Sequence, residues 1–174
     1  ATTMTHLKLC NDVLLTADRV QSDYHGIIST IASEFKGRLV SAQTGDAACD
    51  CFGTVTTGLI WDCGESNYQL PNHADDTSHA SRVPVMAIEF YEAGYSITLS
   101  DLQGLAALLV DVIWNQDLES PAFYNHIDGN NDPNLGQPAF GLGLIYFGWA
   151  RLAKYSSSAL TVVDAVLHAI DDGV

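Results

Sequence analysis

Basic residues are scarce in this chain. Seven lysines and arginines stand against 21 acidic residues, a formal net charge of −14 over 174 residues. Lys8, Arg19, Lys36, Arg38, Arg82, Arg151 and Lys154 are scattered along the sequence. Phosphate backbones are held by clustered Lys and Arg, so the composition argues against nucleic acid and against an anionic membrane surface. Long apolar runs are also lacking. A membrane helix needs about 20 apolar residues in sequence, and the best stretch, Leu102 to Trp114, is broken by Gln103, Gly104 and Asp111. No membrane insertion is expected. There is no P-loop, no dinucleotide-binding glycine fingerprint, no Gly-x-Ser-x-Gly elbow and no His-Glu-x-x-His, so nucleotide, redox and serine-hydrolase chemistry lack support. No Asn-x-Ser/Thr sequon, fixed-period repeat or low-complexity tract occurs.

Apolar residues make up 47% of the chain, enough for one domain, residues 1–174, with a proper core. The cysteines are Cys10, Cys49, Cys51 and Cys63. An even count with three clustered in a polar stretch reads as two disulfides of a secreted chain. Cys51–Cys63 with Cys10–Cys49, or the swapped pairing, are the favoured connectivities. A thiolate metal site is the competing reading, although no Cys-x-x-Cys knuckle is present. The chain opens on Ala1. A removed signal peptide would explain this and place the protein outside the cell; a fragment boundary would explain the start equally well.

The expected fold is mainly α. From about His6 to Lys36, Leu7, Cys10, Leu14, Ala17, Tyr24, Ile28, Ile31 and Phe35 recur at helical spacing. Gly26 is a candidate break and Gly37 a candidate C-terminal cap. Residues 38–72 are rich in Gly, Thr, Ser, Asp and Cys and read as an irregular segment held by disulfides. Short β-like runs fall at Thr54–Thr57 and Leu59–Trp61. Helical patterns return at Thr77–Ala93, with Pro84 confined to the first turn and Gly94 as the stop. The next helix, through Trp114, opens with Ser100 and Gln103 as a capping pair. A polar loop from Asn115 to Pro138 precedes helices at Phe140–Tyr155 and about Ser158–Ile170.

Three groups of residues carry candidate chemistry. The first lies between His73 and Ser81 and holds His73, Asp75, Asp76 and His79, with Thr77, Ser78 and Ser81 as hydroxyls. Histidine exchanges a proton near neutral pH and a carboxylate fixes its tautomer. Two histidines with intervening carboxylates also suit a divalent metal, though this spacing matches no zinc signature. The bland reading is a helix cap at Asp75, Asp76, Thr77 or Ser78 and a packed His79.

The second group is Asp128, Asn130 and Asp132, whose alternating oxygens begin like a calcium loop. Pro133 then replaces the required glycine and Ala139 the required bidentate acid. A turn built from Asp, Gly, Asn and Pro has the same composition. Calcium is the one cofactor the sequence suggests. The third group is Trp61, Tyr68, Tyr91, His126, Tyr146 and Trp149. Aromatic faces stack on sugar rings while polar groups grip hydroxyls; for Trp149 a core position explains the residue equally well.

The polar loop running into Asp76-Thr77-Ser78-His79-Ala80, the helix ending Phe90-Tyr91-Glu92-Ala93-Gly94, the segment Ser96-Ile97-Thr98-Leu99-Ser100-Asp101-Leu102 and the later Gly148-Trp149-x-x-Leu152-Ala153-x-Tyr155 together resemble the (α/α) toroid domains of polysaccharide lyases, glycoside hydrolases and uronyl epimerases. The likeness spans roughly residues 70–172. It implies antiparallel helical hairpins around a cleft whose loops work on a sugar. Two or three hairpins make a partial toroid. On this reading His79 transfers the proton, Asp75 or Asp76 orients it, and His73 supports it. Tyr91 or Tyr146 is the second acid/base, and Arg82 steadies a substrate carboxylate. Trp61, His126 and Trp149 contact a polysaccharide or oligosaccharide. The alternative is a non-catalytic secreted structural protein that self-assembles as a homo-oligomer or matrix, burying its open side against a copy.

Overall fold

A computed structural model of the chain describes residues 18–41, 59–61, 76–127, 129 and 145–171. Within these the protein is mainly helical. Helix α1 spans Asp18–Arg38. It buries Ile28 and Ala32 and lays Ile31, Phe35 and Leu39 against the core, the i, i+3/i+4, i+7 stripe of an amphipathic helix. Gly26 does not break α1, and Gly37 does not end it. A helical glycine costs about 1 kcal/mol relative to alanine, and packing of the stripe outweighs this. The Phe35 ring meets Phe90 at 5.7 Å, and Lys36 reaches across to the Ser96 carbonyl (3.1 Å) and the Asp101 carboxylate (2.8 Å).

The chain leaves α1 directly into strand β1, Leu39–Ser41, which pairs antiparallel with β2, Leu59–Trp61, in the register Leu39↔Trp61. The β-like reading of 59–61 is met, with β1 as its partner. The run 54–57 and the four cysteines, Cys10, Cys49, Cys51 and Cys63, lie outside the described residues.

The next helical pattern divides. A single turn, α2 (Thr77–Ala80), is followed by the bend at Ser81 and then by α3 (Arg82–Glu92). Pro84 sits buried in the first turn of α3, where a missing N–H is harmless. At the other end Gly94 adopts φ +75°. The Gly94 amide donates to Tyr91 O (3.0 Å) and the Tyr95 amide to Phe90 O (2.9 Å). Phe90 and Tyr95 also touch edge to face, completing a Schellman stop.

Helix α4 (Leu99–Leu108) is capped by Thr98, not by Ser100. The Asp101 amide donates to Thr98 Oγ1 (3.3 Å), and the Thr98 amide donates back to Asp101 Oδ2 (2.7 Å). Thr98 is the last residue with extended backbone (φ −111°, ψ 165°), so it alone can close the box. Burial pushes the Asp101 carboxyl up. Bonds from Lys36 and Thr98, with the lysine charge, outweigh burial and hold it below the ordinary value.

Leu109–Ile113 continues α4 as a π-helical turn, with the Trp114 amide donating to Leu109 O at 3.0 Å. The wider turn keeps Leu108, Leu109 and Ile113 all buried. Asn115–Ile127 then folds back. Trp114 and Phe123 form an antiparallel bridge, and Asn115 Oδ1 accepts from the amides of Asp117 and Ala122.

Helix α5 (Tyr146–Ala150) runs into a 3-10 turn, Arg151–Lys154, and then α6 (Ser157–Asp171). The 3-10 turn is stitched to α3 by Arg151–Glu89 (3.0 Å) and Lys154–Glu92 (2.6 Å); Tyr155 also donates to Glu92 (2.6 Å). One apolar core runs from Ile28 of α1 through Phe90, Leu105, Leu109 and Trp149 to Val166 of α6. Among the described residues no helix is long and apolar enough to cross a membrane.

Candidate functional site

The chemistry-bearing residues that the structure brings together lie at the entry to α2. Asp76 has extended backbone (φ −68°, ψ 143°) and serves as the cap of that turn. Its Oδ1 accepts from the His79 amide (3.0 Å) and from Ser78 Oγ (2.5 Å), while Oδ2 faces His79 Nδ1 at 2.5 Å. The cap and the Asp–His pair are thus the same carboxylate. Its side chain is 30% exposed and that of His79 73%. The carboxylate is half sheltered, whereas the imidazole stands in solvent.

Burial pushes the Asp76 carboxyl up, but the bonds from Ser78, the His79 amide and the His79 ring, together with the His79 charge, outweigh it. The net result lies below the ordinary value of 3.8. Asp76 is therefore ionised at neutral pH and can only accept. It follows that Nδ1 is the donor nitrogen of the His79 ring in this contact.

A buried residue fixes this pair in place. Thr77 has no exposed surface. Its amide donates to Asn125 O (2.8 Å) and its hydroxyl to Tyr124 O (2.8 Å). Its carbonyl accepts from the indole Nε1 of Trp149 (2.8 Å). Asp76 and His126 form an antiparallel bridge one residue away. Gly148 presses its backbone onto the Ser81 carbonyl so closely that a Cβ there would lie 1.9 Å from that oxygen. Three segments far apart in sequence, 76–81, 123–127 and 145–150, therefore lock one another.

The sequence candidates fare differently. Asp76 and His79 meet side chain to side chain. His126 adjoins Asp76 through the backbone and is 7% exposed. Trp149 has no exposed surface and is a core ring holding Thr77, so it offers no face for stacking. Arg82 is exposed at the start of α3. Tyr91 lies near the opposite end of α3, about 14 Å along the axis from Arg82 at the usual helical rise, with its ring edge-on to Tyr155. For Trp61 and Tyr146 only the backbone is described. His73, Asp75, Tyr68, Asp128, Asn130 and Asp132 lie outside the described residues. Among the described residues no group of three or more His, Cys, Asp or Glu is placed to hold a metal ion.

Sequence reading missed Thr77 and Asn125 as anchors. Both are buried polar residues, and their partners come from about fifty residues away, so no local pattern marks them. Ser78 was legible as a hydroxyl beside the cluster but not as a donor to Asp76.

The Asp76 geometry predicts a pH dependence. A carboxyl whose folded pKa lies below its unfolded value stabilises the fold fully above the unfolded value. That contribution is lost as pH falls through the folded value. Asp76→Asn keeps an acceptor for the His79 amide and removes the charge. The melting temperature of the variant should lie below wild type at pH 7, and the gap should close below about pH 4. A gap unchanged at low pH would mean the charge plays no part.

No known protein family, curated protein or solved structure matches the chain.

Proposed function

We propose that this chain is an extracellular carbohydrate-active domain, a partial (α/α) toroid in which His79 transfers a proton and Asp76 orients it. The observation that carries the reading is the 2.5 Å contact between Asp76 Oδ2 and Nδ1 of a largely exposed His79. An orienting carboxylate on one ring nitrogen leaves the other free to act on a ligand from solvent. The anchored Thr77 gives the pair a rigid base. Exposed Arg82, three residues on, is the nearest cation in sequence for a substrate carboxylate. The helical framework and the resemblance of its motifs to toroid domains supply the sugar.

The test is turnover on a panel of neutral and acidic oligosaccharides. New reducing ends report hydrolysis, and absorbance of unsaturated ends reports elimination. His79→Ala should lower turnover by about 100-fold or more, the ordinary worth of a positioned acid/base. Asp76→Asn should lower it less, since the ring remains. Full activity in His79→Ala would remove His79 from the chemistry.

A further inference from the structure

A second place in the molecule has the shape of a site. A cleft of about 330 Å³ opens between α4 with its π-helical turn on one side and the start of α6 on the other. Neither Asp76 nor His79 lines it. The volume is at the small end of the range for small-molecule sites, about 300–1,000 Å³.

Its chemistry is mixed in a particular way. Ala106, Ala107 and Val110 form an apolar floor. Asp111, projecting from the π turn, and Gln103 supply acceptors on one wall, with the Gln103 amide a donor as well. The other wall is Tyr155 and the serine run that starts α6. Ser156 is occupied in capping: its Oγ accepts from the Ala159 amide (3.3 Å) and its carbonyl from the Leu160 amide (3.0 Å). The amides of Ser157 and Ser158 lie ahead of that first intrahelical bond, at the donor-rich end of a fifteen-residue helix.

Tyr155 is set in advance. Its hydroxyl donates to Glu92, its ring meets Tyr91 edge-on, and Lys154 Nζ lies 5.2 Å from the ring centre. Asp111 also lies in the π turn, which the core requires and which is a kind of turn frequent at functional sites.

Both kinds of charged ligand are disfavoured here. Asp111 and the net charge of −14 repel an anion. A simple cation would match Asp111 but leave the donor amides at the start of α6 without an acceptor. What remains is a neutral molecule with hydroxyls that both donate and accept, and with a C–H face for the apolar floor. We infer that this cleft binds one ring of a neutral saccharide. The inference rests on the carbohydrate reading above and goes beyond it, assigning recognition of a neutral ring to a surface separate from the Asp76–His79 pair.

Calorimetric titration of the full chain with cellotetraose, xylotetraose, mannotetraose and maltotetraose, and with tetragalacturonate as the acidic comparison, tests it. At least one neutral tetrasaccharide should bind, with tetragalacturonate weaker by about tenfold or more. Asp111 and Gln103 are exposed, so Asp111→Ala and Gln103→Ala should fold, and unchanged melting temperatures check this. Asp111→Ala should raise Kd about tenfold, the usual worth of hydrogen bonds to a charged acceptor. Gln103→Ala should weaken binding less, and His79→Ala should leave Kd within about twofold.

Binding unchanged by both cleft substitutions but lost in His79→Ala would overturn the cleft and leave the proton-transfer reading standing. Preference for tetragalacturonate would overturn the neutral class. Absence of binding by every neutral sugar would overturn the inference outright, while the turnover assay would still decide the fate of His79.

Discussion

Gly148→Ala should destabilise the protein by on the order of 3 kcal/mol and lower its melting temperature by about 6–12 °C. A single methyl group would do this because of where it points. The added Cβ would stand 1.9 Å from the Ser81 carbonyl oxygen, 2.8 Å from its carbon and 3.1 Å from a Val85 methyl. The nearest atoms are backbone, and they belong to the residue joining α2 to α3. Neither helix can yield alone. Ala80 and Pro84 are buried on either side of the joint, and Thr77 is held by three hydrogen bonds. Relief requires α5 to back away, which would uncover part of the Trp149 ring. Thermal unfolding followed by circular dichroism measures the effect. Gly26→Ala is the control. That glycine lies within α1 with nothing near its added methyl, so the change should be neutral or slightly stabilising. Equal melting temperatures for Gly148→Ala and wild type would show that the close approach is not part of the folded state.

How much of this was legible in the sequence depends on the range of the interaction. The α1 stripe through Ile28, Ile31 and Phe35, the placement of Pro84 and the stop at Gly94 are decided within a few residues, and all three appear as read. The span of α6 also follows its pattern closely. The cap of α4 lies at Thr98, two residues before the Ser100 that the pattern offers. Ser100-x-x-Gln103 and Thr98-x-x-Asp101 both fit the capping pattern, and only the extended backbone at Thr98, with Lys36 bonded to Asp101 from another helix, separates them. The π turn has no local signature. It lets the chain keep Leu108, Leu109 and Ile113 on one buried side, which is a demand of the core.

The site divides along the same line. Asp76 and His79 lie three residues apart, and a capping aspartate naturally meets the side chain at that offset, so their pairing could be anticipated. The proximity of His126 could not, because it depends on the bridge between residues fifty positions apart. Trp149 shows the limit of residue type as evidence. A sugar platform and a core ring both ask for tryptophan, and burial is what tells them apart.

Trp149→Ala should have the largest effect of any single change in the described residues. Truncating a fully buried tryptophan costs about 3–5 kcal/mol in lost packing and cavity. Leaving the Thr77 carbonyl without its indole donor adds about 1–3 kcal/mol when the acceptor stays buried. Against a total stability of about 5–15 kcal/mol for an ordinary domain, this change should remove a large share of what holds the fold together. Chemical denaturation would register it as a lost or strongly shifted midpoint.

Trp149→Phe separates the two terms. It keeps an aromatic ring in the core, with some loss of volume, and removes the indole N–H that reaches Thr77 O at 2.8 Å. The fold should persist with a smaller loss. Thr77 directly follows Asp76, so loosening its carbonyl should also slacken the Asp76–His79 pair. The proton on His79 Nδ1 provides the readout, because exchange with solvent slows when Asp76 holds it. In Trp149→Phe that exchange should quicken, while Ile88→Val, a core change in α3 of small destabilising effect, should leave it as in wild type. Exchange unchanged in Trp149→Phe would mean that the indole supports the core alone and that the pair at α2 is held without it.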